Sequence, residues 1–549
     1  MAALTVARAA PAARTAAVPR VAATAATARA RKDIEMHKLS VIAVAAAVAT
    51  AVLAGCTMEP RYHRPAAPVS QSFPQGGVYA TQPGATDENG QPGPSANGAV
   101  ATDLGWRDFF VDPRLQQLVE IALKNNRDLR VSVLNVEAAR AQYQITRAQL
   151  FPAIDAVGTD SRTRVPKAFQ TAPENPYSVY NVGLQASWEI DFWGRIRSLK
   201  DQALAQYLST AYARKAAEIS LVSQVADQYL TMLSDDDLLK VTQDTLKTAQ
   251  DSYNIAKAQF DTGTGTELDL RQAQTVVENA QANLQVQMRA RAQAENALVL
   301  LIGEPLPANL PQGLPLDGQA LVADIPAGLP SDLLTRRPDI MQAEETLLAA
   351  NANIGAARAA FFPKISLTAA FGTESLSLGG LFKAGTAAWS FVPQITMPIF
   401  EGGQNIANLQ LANVQKRIEI ANYEKSIQSA FREVADGLAA RGTYDQQIGA
   451  LERSTFASQR GLDLSELRYK NGVDSYLPVL AAQTSLYQSQ QALVTARLAR
   501  LTNLVDLYRA LGGGWIQHAG ETPRPADAPA DYGAASAPAA ASAPAATAG

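Results

Sequence analysis

Cysteine is nearly absent. The 549 residues contain one, Cys56, so no disulfide framework holds a single chain together. Histidine is also scarce: His37, His63 and His518 are the only three. They fall in a leader, an extended segment and the edge of a tail, and none is placed for acid–base chemistry or metal binding. Scattered Asp and Glu on helices read as solvated faces. Gly512-Gly513-Gly514 follows a helix, with no strand before it and no lysine after, so it is not a phosphate loop. These absences argue against an enzyme. A formal net charge of −3 leaves no basic footprint for nucleic acid. The longest early apolar run, 39–54, is short for a transmembrane helix.

Glycine and proline are missing between residues 195 and 262. Such a stretch exceeds an ordinary globular helix. As one helix it would span roughly 100 Å, with a local interruption expected at Ser234-Asp235-Asp236-Asp237. Ile219, Val222, Val225, Ala226, Tyr229 and Leu233 recur at coiled-coil-like spacing. A return helix is expected over about 266–302. Similar patterns cover about 404–470 and 475–511, where Gly437, Gly442, Gly449 and Gly461 predict bends or close packing. Gly263, Gly265 and Gly472 mark the hairpin tips. Gly263 and Gly472 each follow an aromatic by three residues, as helix-ending glycines do. Thr266 and Asp474 are candidate caps for the helices that follow.

The chain is written twice. A block from about 125–303 recurs at about 336–512. Arg127-Asp128-Leu129 answers Pro338-Asp339-Ile340, and Leu150-Phe151-Pro152 answers Phe361-Phe362-Pro363. Gln272-Ala273-Gln274-Thr275 answers Ala481-Ala482-Gln483-Thr484, and Leu301-Ile302-Gly303 answers Ala510-Leu511-Gly512. Each copy reads as helix, two strands, one very long helix, a turn and another long helix.

After each Phe-Pro the period changes to two. Tyr180, Val182, Leu184, Ala186, Trp188 and Ile190 alternate with Asn181, Gly183, Gln185, Ser187 and Glu189. Trp389, Phe391, Pro393, Ile395, Met397 and Ile399 form the apolar set of the second copy, opposing Ser390, Val392, Gln394 and Thr396. One-faced runs of about ten residues suit an outer-membrane barrel. The lipid face is then Tyr180, Val182, Leu184, Trp188, Trp389, Phe391 and Ile395. Pro393 sits awkwardly in a paired strand. Weaker strands precede these at about 153–160 and 364–371. Four strands cannot close a barrel, and open edges are forbidden in lipid. Two chains would give a filled barrel of eight strands, and three an open one of twelve.

The ends add an address. Translation is read as starting at Met36, with residues 1–55 an extension and signal peptide. Leu53-Ala54-Gly55-Cys56 resembles the lipobox of bacterial lipoproteins, in which the cysteine carries the lipid. Residues 56–102 are expected to run extended along a surface. A first repeat occupies 103–303, a linker 304–335 and a second repeat 336–520. Residues 521–549, rich in Ala and Pro, read as a disordered tail.

Together these residues resemble the TolC-like outer-membrane efflux proteins, specifically the lipidated channels of RND-type tripartite multidrug pumps. The carriers include the lipobox, Pro60-Arg61-Tyr62, Trp106-Arg107-Asp108-Phe109-Phe110 and Arg336-Arg337-Pro338-Asp339-Ile340. They extend to Ala357-Arg358-Ala359-Ala360-Phe361-Phe362-Pro363, Pro398-Ile399-Phe400-Glu401-Gly402-Gly403 and Tyr469-Lys470-Asn471-Gly472-Val473. The resemblance implies a homotrimer with a twelve-stranded barrel in the outer membrane of a Gram-negative cell. A helical periplasmic tunnel would continue it, girdled by a mixed equatorial domain from about 103–125, 304–335 and 512–520. A periplasmic adaptor and an inner-membrane RND pump would complete the machine, with no cofactor beyond the lipid on Cys56.

Carried over residue by residue, the resemblance makes Tyr469 and Asp474 holders of a closed periplasmic gate. Val473 and Leu477 would constrict it. Ala481 stands where the family pattern has an acidic residue, and Asp269 is a candidate substitute. The cargo implied is antibiotics and other small toxic compounds. Type I secretion or metal efflux is the alternative cargo class. A structural coiled-coil lipoprotein without a pore is the competing reading.

Overall fold

A computed structural model describes residues 57–79, 101–166, 168, 176–319, 321 and 330–518. Helix α1 is Trp106–Phe109, α2 is Pro113–Asn125 and α3 is Arg127–Ala148. Strands β1 (Ala153–Thr163) and β2 (Tyr177–Ile190) follow. The long hairpin of copy one is α4 (Arg195–Asp261) and α5 (Glu267–Ile302). Copy two repeats the order: α6 (Pro330–Arg336), α7 (Pro338–Ala359), β3 (Lys364–Ser375), β4 (Ala387–Thr396), α8 (Gln404–Lys470) and α9 (Leu477–Ala510).

The duplication extends to the hinge chemistry. Helices α3 and α7 have 22 residues each, and α4 and α8 have 67 each. Phe151-Pro152 and Phe362-Pro363 end the shorter helices, because a proline turns the preceding residue away from helix. A left-handed glycine precedes each long helix: Gly194 at φ 74° and Gly403 at φ 87°. Only glycine takes that conformation without a steric penalty.

The interruption expected at Ser234–Asp237 does not occur, and α4 runs through it unbroken. Tertiary partners hold these poor helix formers in place. Ser234 is buried, and Asp236 accepts a bond from Arg291 of α5 at 2.6 Å. The propensity cost, below about 0.7 kcal/mol per residue, is smaller than such anchoring. Helix α8 also continues past its glycines. At Gly437 the reason is close packing: a Cβ would meet the Leu507 side chain at 3.1 Å. Gly461 faces open space.

The four strands form one antiparallel sheet in the order β1-β2-β3-β4. Its register brings Ile154 opposite Ala186, Leu184 opposite Phe371, Trp188 opposite Leu367 and Phe371 opposite Trp389. Directly opposed residues share a face, so the large apolar residues Ile154, Leu184, Trp188, Leu367, Phe371 and Trp389 lie together. Asp155, Gln185, Ala370 and Ser390 lie on the other side. Pro393 pairs with Leu367 within β4, an edge strand of the protomer.

The main core sits at mid-height, where α1, α2, α4, α5, α9 and the interrepeat linker meet. Phe109, Phe110, Leu115, Leu118, Tyr229, Leu298 and Tyr508 are all essentially buried. Phe109 stacks on Tyr508 at 4.1 Å between ring centroids. Each such side chain contributes roughly 1.5–3 kcal/mol of burial. Asp112, 1 % exposed, ties the layers together. It caps α2 through the Arg114 N–H and accepts bonds from Tyr229 Oη (2.9 Å), Gln319 Nε2 (2.7 Å) and Leu314 N–H (3.0 Å).

An extended strap over residues 57–79 lies against α7 and α8. Arg64 binds both Glu344 carboxylate oxygens, at 2.7 and 2.8 Å. Tyr62 donates to the same group at 3.1 Å, and Phe73 stacks on Phe431. Residues 80–100 and Cys56 lie outside the described residues.

Candidate functional site

The tip of the second hairpin is built from a turn and a buried tyrosine pair. Gly472 ends α8 at φ 68°, and Gly263 ends α4 at φ 77°, as helix-ending glycines do. Gly265 keeps an ordinary φ, but its N–H donates to Gln259 O at 2.9 Å. A Cβ on Gly265 would come within 2.9 Å of the Gln259 side chain. Thr266 caps α5: it accepts from the Asp269 N–H at 3.2 Å and donates to the Asp269 carboxylate at 2.7 Å.

Asp474 is not the cap of α9. That helix begins at Leu477 with Pro478 in its first turn and no side-chain cap. Tyr476, fully buried, fixes where the helix starts and leaves Asp474 free to turn back. Arg468 Nε and Nη2 reach its two oxygens at 2.5 and 3.0 Å. The hydrogen bonds from Arg468 hold the Asp474 carboxyl below its ordinary range.

Tyr469 and Tyr476 meet edge to face at 5.3 Å, packed with Ala256, Ala273, Leu462 and Val479. Tyr476 Oη donates to Gln483 Oε1 at 3.3 Å, and Gln483 Nε2 donates to Ser252 Oγ at 2.9 Å. This chain links the second-copy hairpin to the first-copy helix α4. Burial pushes the Tyr476 phenol up to about 12. Burial also raises the Tyr469 phenol, and the nearby Asp269 charge adds to it. Tyr469 Oη is buried and has no hydrogen-bond partner among the described residues.

Val473 and Leu477 are 61 % and 58 % exposed. The tip therefore gathers Tyr469, with Asp269 close by, into its packed side, and leaves Val473, Leu477 and the Arg468–Asp474 pair outward. Ala481 is exposed. Arg468, Tyr476, Gln483 and Ser252 are absent from the sequence-derived set. No spacing rule joins Arg468 to Asp474 across a turn or Ser252 to Gln483 across two copies.

At the other end of the long helices the sheet presents its apolar face. Tyr180, Val182, Leu184, Trp188, Trp389, Phe391 and Ile395 all belong to it by register. Trp389 is 78 % exposed and Ile395 69 %. Such an area of exposed large side chains marks a surface meant for another apolar phase or partner. On the opposite, polar face, Glu189 is held by Arg195 at 2.9 Å and Lys364 at 2.9 Å. They border a cavity of about 460 Å³ at the neck between sheet and helices. Trp193 stacks on Phe362 at 4.5 Å and donates to Pro363 O at 3.0 Å, locking the neck across the two copies.

No group of His, Cys, Asp and Glu able to hold a metal exists among the described residues. No described helix is long and apolar enough to cross a membrane.

Comparison with known proteins agrees. The family model described as outer membrane efflux protein matches residues 118–304 and 329–513. The probable efflux pump outer membrane protein TtgC of Pseudomonas putida is 47 % identical over 477 residues, covering 86 % of this chain and 96 % of that protein. Outer membrane protein OprJ of Pseudomonas aeruginosa is 43 % identical over 474 residues, with 86 % and 96 % covered. The open-state MtrE outer membrane channel of Neisseria gonorrhoeae superposes with a TM-score of 0.74 at 43 % identity, over 85 % of this chain and 100 % of that one. The CmeC outer membrane channel of Campylobacter jejuni gives 0.75 at 27 % identity, over 85 % and 96 %. A one-faced apolar sheet and paired long helices agree with these matches: the chain belongs to the outer membrane efflux protein family and is a channel component, not an enzyme.

Proposed function

We propose that the chain is the passive exit duct of a tripartite efflux system, carrying antibiotics and small toxic organic compounds out of the cell. It works as a homotrimer with a periplasmic adaptor and an inner-membrane RND pump. The observation that carries this reading is the four-stranded sheet with an apolar face and two open edges. Open edges are not tolerated in lipid, and three copies of four strands close a barrel wide enough for water. Tyr180, Val182, Leu184, Trp188, Trp389, Phe391 and Ile395 then face lipid, and Gln185, Ser187 and Gln394 face the lumen. The repeats 103–303 and 336–520 are the two walls of each protomer.

Cys56 carries the lipid, and the strap at 57–79 leads from it along α7 and α8. Val473 and Leu477 form the constriction at the periplasmic tips, with Tyr469 and Asp474 holding it. The toluene efflux pump outer membrane protein TtgI and the antibiotic efflux pump outer membrane protein ArpC, both of Pseudomonas putida, support small organic cargo.

The test is deletion and complementation in the native host, with toluene and antibiotic susceptibility as readout. Purified protein is cross-linked in parallel to count subunits. Unchanged susceptibility on deletion, or a stable monomer, overturns the reading. A carbon-chain-labelled palmitate probe that still marks Cys56→Ser removes the lipid assignment.

A further inference from the structure

A second cavity, about 220 Å³, lies beside the mid-height core. Lys215 of α4, Arg336 and Thr335 of α6, Pro338 and Met341 of α7, Tyr212, Asp103 and Trp515 line it. The channel reading assigns it nothing.

Its chemistry is unbalanced. The Lys215 ammonium sits over the Trp515 ring at 5.0 Å and near the Tyr212 ring at 5.5 Å. Among the described residues no carboxylate pairs with it. Burial and the adjacent Arg214 charge lower the Lys215 ammonium below the usual lysine range, with Glu218 opposing. The Trp515 indole N–H is buried and has no acceptor. The N-terminal end of the 22-residue helix α7 adds a further positive potential. A cation resting on aromatic faces therefore lines the cavity, and it asks for an oxygen acceptor.

We propose that this cavity is a carboxylate site, filled by the acidic C-terminal segment of the same chain. Trp515 itself walls the cavity. Gln517 and His518 then run against Gly105, two positions from Asp103 of the same wall. The chain continues into 519–549, which carries Glu521, Asp527 and Asp531 against one basic residue, Arg524. Glu521 follows His518 by three positions, a reach of about 10 Å. Docking would pin the end of the chain to α4, α6 and α7, so that the linker and both repeats are clasped together.

The test is zero-length carbodiimide cross-linking of the full-length protein in detergent, mapped by mass spectrometry. The ion pair Lys257–Asp261, at 2.7 Å, serves as the internal control. Oligomers assembled from light and heavy-isotope chains separate same-chain from between-chain products. The expected result is an amide between Lys215 and Glu521, Asp527 or Asp531 of the same chain, lost on truncation after His518. With the control formed, three results overturn the proposal: no Lys215 product, a product only with Asp103 or Glu218, or a product to another chain. The outcome is independent of whether the protein conducts.

Discussion

Arg468 and Asp474 clasp each other across the turn that joins α8 to α9, with two nitrogen–oxygen contacts of 2.5 and 3.0 Å. The pair belongs to one hairpin, so it stiffens that hairpin's own tip. Gate tightness on this reading depends on an internal clasp as well as on contacts between neighbours.

Breaking the clasp should loosen the tip. Asp474→Ala and Leu477→Ser are each expected to raise single-channel conductance in planar bilayers. Arg468→Ala should resemble Asp474→Ala, because both remove the same pair. Unchanged conductance in Asp474→Ala and Leu477→Ser removes the gate assignment.

The pH response of that clasp has a fixed sign. Asp474 is held below its ordinary value by Arg468. Its contribution is present above the unfolded carboxylate range, about 3.9, and is lost only as pH falls through the lower folded value. Closure attributable to this pair should therefore be flat between about pH 5 and 8. A conductance step in that window that disappears in Asp474→Ala contradicts it.

Asp227 behaves in the opposite sense. Burial, reinforced by Asp506 and opposed by Arg509, pushes its carboxyl up to about 7. One of its oxygens is buried without a partner. A raised folded value means stability is greatest below the unfolded range and declines as pH rises towards 7. Asp227→Asn should flatten that decline, with a gain on the order of 2–4 kcal/mol at pH 8. Thermal unfolding at pH 5 and pH 8 checks it; parallel curves for the two proteins would falsify the assignment.

The sheet should be asymmetric to charge. Leu184→Arg on the apolar face is expected to cost about 2–4 kcal/mol near the membrane midplane and to reduce membrane assembly. Ser390→Arg on the polar face should assemble normally. Heat-resistant oligomer on a gel reports both. Equal loss in the two variants would show that neither face is in contact with lipid.

The strap should depend on one carboxylate. Glu344 is 8 % exposed and receives Arg64 and Tyr62 together. Glu344→Ala removes the acceptor shared by the solvent-facing Arg64 guanidinium and Tyr62, a loss of roughly 0.5–1.5 kcal/mol after screening by water. Protease cleavage within 57–79 should accelerate, and Tyr62→Phe should have a smaller effect. Equal cleavage of wild type and Glu344→Ala would detach the strap's order from this contact.

Much of this architecture was legible in the residues. Phe-Pro pairs, the glycine- and proline-free run and the period-two segments depend on local backbone sterics and on one-residue-at-a-time hydrophobic alternation. Those forces act along the chain, so 67-residue helices and four strands could be read in order. The repeat supplied the rest of the plan. Serine and aspartate at 234–237 misled because local propensity favours a break there, while Arg291 from another helix decides otherwise.

What the tertiary structure alone decided are the pairings across large separations. Tyr229 and Gln319 converge on Asp112, Ser252 meets Gln483, and Arg337 reaches Glu433 and Ala510 O. A polar side chain carries no periodic signal of its partner. Which donor meets which acceptor is fixed only when helices from both copies pack and water leaves, because a buried polar group then has to be satisfied by whatever the fold brings alongside. Asp474 shows the limit within a single turn: its composition permits a helix cap, and the buried position of Tyr476 assigns it to Arg468 instead.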